Sequence, residues 1–252
     1  MKPFLFSLLF SFIIPLSSIN VAMAQFEGEI IYHMIDPSEE NSDSSNMLLM
    51  FTKNRIYVNT SNDVNMMAGL STSGILVRND HQDFVLTIDN NEGLQIARSE
   101  LENLSSMLNR LQGRTAVQQK PFPWDEKVVE TGNSQEIQGY SAQQFILNGD
   151  TADEYVSIWL TDQIKVNWGL LLEAWNSTGK YQFDNEIPIE VVMNQTSFPL
   201  LIEVYRENEV VFLAETVSIN TDQFDRSKVE ISSDMKLLSF TDLMMNIFRQ
   251  QR

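Results

Sequence analysis

The sequence Phe26-Glu27-Gly28-Glu29-Ile30-Ile31-Tyr32-His33-Met34 decides the fold, because its side chains alternate in character with a period of two. In an extended chain its apolar side chains fall on one side, while Glu27, Glu29 and His33 fall on the other. This alternation is typical of an antiparallel sheet with one buried face. We therefore predict a half-buried strand here.

Similar segments follow along the chain, and turn residues separate them. Residues 47–52 and 55–60 flank Lys53-Asn54, and residues 74–78 and 84–89 flank a short polar loop, so we predict two hairpins. Residues 63–73 between the hairpins are predicted to form a loop. Further strands are predicted at residues 94–97, 127–131, 140–147, 155–160, 199–206 and 210–220, with residues 207–209 as a hairpin loop.

Helices are fewer. Ser99 followed by Glu102 has the spacing of a capping box, and Ser239 with Asp242 predicts an amphipathic helix over residues 239–252. Short helical segments are also predicted at residues 168–175 and 188–194. Because strands dominate, we predict an α+β fold in which a large antiparallel sheet carries a few helices on one side.

The first 24 residues have the pattern of a secretory signal peptide. Lys2 precedes an apolar run over residues 4–14, and Ala22-Met23-Ala24 fits a cleavage site. The run is about half of the roughly 20 residues that a membrane-spanning helix needs. We predict cleavage after Ala24, a periplasmic or secreted protein, one domain over residues 25–238, and a C-terminal helix over residues 239–252.

Composition narrows the classes of partner. The 252 residues include no cysteine, so disulfides and thiolate metal ligands are excluded. The formal net charge is −17, which disfavours binding to nucleic acid and to anionic lipid surfaces. We predict no nucleic-acid partner and no membrane span.

The sequence offers little for catalysis. His33 and His81 are its only histidines, and neither stands in a pattern typical of a hydrolase triad or a zinc site. The acidic loops do not have the spacing of a calcium-binding loop, and no glycine-rich phosphate loop is present. We therefore predict no catalytic residues, no metal and no cofactor.

Large apolar side chains are the remaining candidates for a function. Aromatic rings and thioethers suit a pocket for a variable apolar ligand. The same residues would equally suit the core between a sheet and its helices. The candidate ligand-binding residues are Met66, Met67, Trp159, Trp168, Leu171, Leu172 and Trp175.

Three motifs resemble those of an exported bacterial family known only as a domain of unknown function. They are the opening strand from Gln25 to Tyr32, the segment Ile137-Gln138-Gly139-Tyr140-Ser141-Ala142-Gln143-Gln144-Phe145, and Trp159-Leu160-Thr161-Asp162. Such proteins are similar to the periplasmic lipoprotein carriers, so the resemblance implies a LolA-like fold: an open, strongly curved antiparallel half-barrel with helices on its apolar concave side. It also implies a carrier without catalytic residues. Ala142 stands where relatives often have cysteine.

Two functions follow as hypotheses. The first is a periplasmic carrier or chaperone that binds a hydrophobic ligand, either a lipid or a lipoprotein acyl chain. The alternative is a non-catalytic interaction or structural protein of the cell envelope, which would dock a protein partner through a sheet edge or the terminal helix. An enzyme is the least favoured class, because no acid pair is placed for catalysis.

Overall fold

The structure is a computed structural model that describes residues 25–35, 37, 44–65, 71–88, 91–101, 124–149, 151–178 and 192–242. Its strands form one sheet of 12 members in the order β12-β6-β5-β4-β3-β2-β1-β11-β10-β9-β8-β7. They are β1 (Gly28–Ile35), β2 (Ser45–Thr52), β3 (Arg55–Asn65), β4 (Ser71–Arg78), β5 (Asp83–Thr87), β6 (Glu92–Ala97), β7 (Val128–Ile137), β8 (Tyr140–Asn148), β9 (Tyr155–Thr161), β10 (Phe198–Arg206), β11 (Glu209–Asn220) and β12 (Lys236–Ser239).

The sheet consists of two meanders that meet in the middle. The first runs outward from β1 to β6, and the second starts at the opposite edge with β7 and returns to β11. β11 pairs antiparallel with β1, where Glu29 lies opposite Asn220 and Ile35 opposite Leu213. The chain then crosses to the first edge, where β12 pairs with β6 in parallel. This crossover makes the sheet mixed.

The predicted α+β class, a half-barrel with helices on its concave side, is wrong. The described residues are 58% strand and 13% helix, and their single large sheet is mixed and not closed. The helices that lie wholly within the described residues are short: α1 (Trp124–Lys127), α2 (Gly169–Thr178) and a 3-10 helix (Arg226–Val229). Extended segments therefore provide much of the cover that we expected from helices.

The main core lies on one face of the sheet, which we call the first face. Phe51 and Phe198 contact edge to face, with ring centroids 5.9 Å apart. Trp168 stacks parallel on Phe198 at 5.9 Å and meets Phe51 edge-on at 5.7 Å. Tyr32 is buried beside them, and its hydroxyl donates to the Pro199 carbonyl. This aromatic cluster bridges both meanders and so holds the two halves of the sheet together.

An extended segment between β9 and α2 covers the cluster. Ile164, Val166 and Trp168 are buried at alternate positions, as in a strand lying over a core. Its end is fixed by Asn79 from the β4–β5 turn, whose Oδ1 accepts a hydrogen bond from Leu170 N at 2.9 Å. This bond satisfies an N–H of the first turn of α2, where no intrahelical partner exists.

On the opposite, second face, described residues form a second layer over β2 to β6. Residues 221–235, which we call the strap, lead from β11 to β12 and contain the 3-10 helix, which contacts β2 and β3. Met50, Leu76, Val85 and Val229 form a small buried cluster between the strap and the sheet. The strap thus gives this half of the sheet a second hydrophobic layer.

Local predictions agree well with these elements. The opening strand and both hairpins are confirmed, with Lys53-Asn54 as the turn between β2 and β3. In the last hairpin the turn is Glu207-Asn208, with φ of 51° and 63°, and Glu209 already belongs to β11. The residues of this turn have the left-handed backbone that tight hairpins require.

Other predictions need correction. Residues 63–73 are not one loop, since β3 extends to Asn65 and β4 begins at Ser71. The helix predicted from Ser99 already includes residue 98, and Ala97 N donates to Glu100 Oε2 at 2.8 Å. The Ser239 cap is confirmed, because Ser239 Oγ accepts from Asp242 N at 3.0 Å. Residues 1–24, 102–113, 188–191 and 243–252 of the predicted elements lie outside the described residues.

Candidate ligand-binding cleft

A cleft of about 440 Å³ lies between the strap and the second face of the sheet. Its volume falls in the range of about 300–1,000 Å³ that is usual for small-molecule sites. Both apolar and hydroxyl-bearing side chains surround it. The lining residues are Tyr57, Leu76, Val85, Thr87, Ser227, Lys228, Glu230, Ile231, Ser232 and Met235.

The floor of the cleft is formed by the sheet. Leu76 and Val85 lie opposite each other on β4 and β5 and are 4% and 2% exposed. Tyr57 lies over Gly74, where an added Cβ would come within 2.6 Å of the Tyr57 hydroxyl oxygen. Burial raises the pKa of Tyr57, which therefore stays a neutral hydroxyl at physiological pH. The floor is thus apolar at Leu76 and Val85, with the hydroxyls of Tyr57 and Thr87 beside them.

The strap forms the opposite wall. Met235 packs over Gly93 of β6, where an added Cβ would lie 3.1 Å from the Met235 sulfur. The backbone continues into β12 through Lys236 N, which donates to the Asn91 carbonyl at 2.7 Å. A flexible thioether at this wall can adjust to ligands of different shape.

Arg55 fastens the strap to the sheet. Its guanidinium donates to Asp80 Oδ2 at 3.0 Å, to the Val229 carbonyl at 3.0 Å, and to the Glu230 carboxylate. Hydrogen bonding to Asp80 is the main reason that the pKa of Arg55 is raised. Burial would raise the pKa of Asp80, but hydrogen bonding and charge attraction from Arg55 outweigh it and lower that pKa. Two carboxylates and one carbonyl therefore share a single cation.

A second contact holds the beginning of the strap. Arg226 Nη2 lies 3.1 Å from Glu27 Oε2, and Asp225 caps the 3-10 helix by accepting hydrogen bonds from Ser227 N at 3.0 Å and from Ser227 Oγ at 2.6 Å. The hydrogen bonds from Ser227 lower the pKa of Asp225. The strap is therefore attached at both ends of its helical turn, beside the cleft.

The lining can bind a ligand but offers no catalytic arrangement. Ser227 Oγ donates to Asp225 and has no histidine beside it, and Glu230 is engaged by Arg55. A nucleophile needs a neighbouring base, and a general acid pair needs two carboxyl groups that face a common space. The cleft residues fit apolar contact with a few hydrogen bonds instead.

The predicted ligand residues that the structure describes lie outside the cleft. Trp168 is 3% exposed in the first-face core, and its Nε1 donates to the Asn194 carbonyl at 3.0 Å. Trp159, Leu171 and Leu172 are half-buried against the same core. Met66, Met67 and the side chain of Trp175 lie outside the described residues. A ligand role for all seven residues stays a prediction, and Trp159, Trp168, Leu171 and Leu172 do not line the cleft.

Neither histidine lines the cleft. His33 Nδ1 lies 3.6 Å from Glu215 Oε1 on the second face, and His81 Nε2 lies 3.7 Å from Asp80 Oδ2 in the β4–β5 turn. In the described part of the chain, no group of three His, Asp or Glu side chains is arranged to hold a metal ion. Likewise, none of the described helices is long and apolar enough to span a membrane.

Runs of consecutive apolar residues in three strands indicate that the second face is covered, although the ligand site predicted above does not use them. The strands β2, β4 and β5 are apolar at consecutive positions, as in Leu48-Leu49-Met50-Phe51, Ile75-Leu76-Val77 and Phe84-Val85-Leu86. A strand with one solvated face alternates, whereas a strand covered on both faces is continuously apolar. These runs therefore indicate a covering layer on the second face, but not which segment supplies it.

Comparison with known proteins adds little. No protein-family model and no curated protein matches this sequence. Solved structures similar to this chain include two of PNGF-II, in space groups C2 and P21, each with a TM-score of 0.39 and 10% sequence identity. The alignments cover 86% and 90% of this chain, but 32% and 34% of those chains, so this chain spans about a third of their length. Similarity at this level supports no inference about function.

Proposed function

We propose that this protein is an exported, non-catalytic carrier that binds a small, mainly apolar ligand in the cleft beneath the strap. The observation that carries the proposal is the cleft itself, a space of about 440 Å³ with a floor of buried aliphatic side chains. The described core residues of the first face pack against one another, so the second face is the better location for a ligand.

The alternative, an interaction protein that adds a partner strand, has less support. β7 forms one edge, and Val129 there is 49% exposed, but a bulge lies between Glu130 and Ser134 and Gly132 has a φ of 76°. Bulges and charges on an edge strand hinder pairing with another chain. β12, at the other edge, is only four residues long. Neither edge is a good template for strand addition.

A neutral apolar dye tests the proposal. We expect N-phenyl-1-naphthylamine to bind the full chain saturably, with a rise in fluorescence. Ser232→Trp places an indole at the wall of the cleft and should weaken dye binding by about tenfold or more, because the ring competes for the same space. Ser233→Trp is the matched control, since Ser233 is exposed on the same strap but does not line the cleft.

The two tryptophan variants separate the outcomes. Loss of binding in Ser232→Trp together with normal binding in Ser233→Trp supports the cleft as the site. Equal binding by both variants and the parent chain would place the dye elsewhere and overturn the proposal. Absence of saturable binding to the parent chain would do the same.

A further inference from the structure

The charges at the cleft differ in how they are engaged. Lys228 and Glu230 are the two charged residues among the described residues of its lining. The Glu230 carboxylate is bound by Arg55, which also binds Asp80. Its carboxylate is therefore engaged within the protein, where Glu230 and Asp80 share one guanidinium.

Lys228 has no such partner in the part of the chain that the structure describes, where no carboxylate lies within 4.0 Å of its ammonium group. Asp225, three residues earlier, accepts hydrogen bonds from Ser227 N and Oγ, and Lys228 attracts its carboxylate at longer range. Lys228 is exposed at the rim, on the 3-10 helix of the strap. Its ammonium is thus the one cation among the described lining residues, and it forms no close ion pair there.

The rest of the lining separates into an apolar floor and a polar rim. Leu76, Val85 and Met235 belong to the small cluster beneath the strap, whereas Ser227 and Lys228 lie on the exposed side of the strap. A molecule that fills this space would place an apolar part against the floor and a polar part beside the ammonium. Such a division of surface is typical of a site for an amphiphile.

From this arrangement we infer that the ligand is a single-chain amphiphile with an anionic head group, held with its chain on Leu76 and Val85 and its head beside Lys228. The inference rests on the proposed function of the cleft. A volume of about 440 Å³ suits one short chain rather than a two-chain lipid. The net charge of −17 opposes polyanions at long range, so the site suits a molecule with one charged group.

Displacement of N-phenyl-1-naphthylamine by ten-carbon ligands tests the head group. We expect decanoate to bind more tightly than decanol by about threefold, the size typical of an exposed ion pair, and decyltrimethylammonium to bind more weakly than decanol. Added salt should reduce the advantage of decanoate, because the ion pair is screened. Comparing decyl phosphate with decanoate shows whether the site prefers a phosphate or a carboxylate head group.

Lys228→Gln is the decisive variant, and Lys53→Gln in the β2–β3 turn is its matched control, an exposed lysine that does not line the cleft. Lys228→Gln should remove the preference for decanoate over decanol and leave decanol binding unchanged, while Lys53→Gln should keep the preference. Equal displacement by the anionic, neutral and cationic ligands, or a preference that survives in Lys228→Gln, would overturn the head-group inference and leave the carrier proposal standing. Failure of every ligand, decanol included, would overturn both.

Discussion

Arg55 and Arg78 lie directly opposite each other on β3 and β4, and each guanidinium is neutralised by its own carboxylates. Two like charges at opposed positions of a sheet destabilise it. Arg55 pairs with Asp80 and Glu230, whereas Arg78 forms a bidentate pair with Asp83 at 2.7 and 2.5 Å. One arginine thus fastens the strap, and the other closes the β4–β5 hairpin.

The pair between Arg78 and Asp83 is the first target for a stability test. Its side chains are 9% and 5% exposed, and Gln95 Nε2 donates to Asp83 Oδ2 at 2.5 Å. Asp83→Asn leaves a buried guanidinium without its counter-ion, so we expect the free energy of unfolding to fall by about 3–5 kcal/mol. Urea unfolding followed by circular dichroism measures the loss. The double variant Arg78→Met with Asp83→Leu should lose clearly less, and an equal loss would contradict the role of the unpaired charge.

The attachment of the strap can be tested by limited proteolysis. Arg226 and Lys228 are tryptic sites within the strap. Arg55→Met removes the bonds to Asp80, Val229 and Glu230. We therefore expect trypsin to cleave the strap about tenfold faster under native conditions, which corresponds to a loss of about 1.4 kcal/mol in the free energy that holds the strap to the sheet.

The control for the strap experiment is a different surface arginine. Arg98→Met breaks an exposed pair with Glu173 at 2.9 Å, outside the strap. An exposed pair of this kind contributes little to stability, so its removal should leave the rate of strap cleavage nearly unchanged. Similar cleavage rates in the Arg55→Met and Arg98→Met variants would mean that Arg55 does not hold the strap.

The contact between Arg55 and Asp80 makes the free energy of unfolding depend on pH. The pKa of Asp80 is lower in the folded chain than its usual value of about 3.9, because the Arg55 interactions outweigh the effect of burial. A depressed carboxyl pKa stabilises the fold above the unfolded pKa, and this contribution is lost as pH falls through the folded pKa. We expect the urea midpoint to fall below about pH 4. Asp80→Asn should have a lower midpoint at neutral pH and a shallower acid dependence, whereas an unchanged dependence would contradict the role of Asp80.

Variants of Trp168 test whether the ligand binds in the first-face core or in the cleft. Because it is buried between Phe51 and Phe198, Trp168→Ala should destabilise the chain by about 3–5 kcal/mol, and Trp168→Phe by less. Under conditions where the Phe variant is folded, it should bind N-phenyl-1-naphthylamine as the parent chain does. A variant of normal stability that no longer binds the dye would move the ligand site to the first face.

Gly169 tests the junction between the β4–β5 turn and α2. It has a φ of +42°, and an added Cβ would collide with the amide group of Asn79, which caps the helix. Gly169→Ala should therefore lower the free energy of unfolding by more than about 1 kcal/mol, since the strained backbone and the lost cap act together. Gly139→Ala is the comparison, with a positive φ but open space around its Cβ, and it should cost less. Equal losses would show that backbone strain alone acts at both glycines.

Local sequence patterns predicted the strands because strand formation depends on near neighbours. The alternation from Phe26 to Met34 and the turn at Lys53-Asn54 need no distant partner to be recognised. β12 was missed because it has only four residues and pairs in parallel with β6, far away in sequence. A short parallel strand has no turn signal and acquires its hydrogen bonds only from the partner.

The candidate site was less predictable than the strands. Large aromatic residues such as Trp168 suit both a core and a ligand pocket, so the sequence does not show which of the two they form. Only their packing in the folded chain does. The cleft combines β3, β4 and β5 with the strap, whose residues lie more than 130 positions later in the chain. No spacing rule connects such residues.

By itself the sequence determined the strand content, the hairpin turns, the absence of cysteine and the acidic charge, because these depend on residue identity or on neighbours within a few positions. The tertiary structure alone decided that β11 joins β1, that the strap crosses the second face, and that Lys228 lines the cleft. These features depend on which distant segments bury their apolar surface against each other, and many arrangements satisfy the same local pattern.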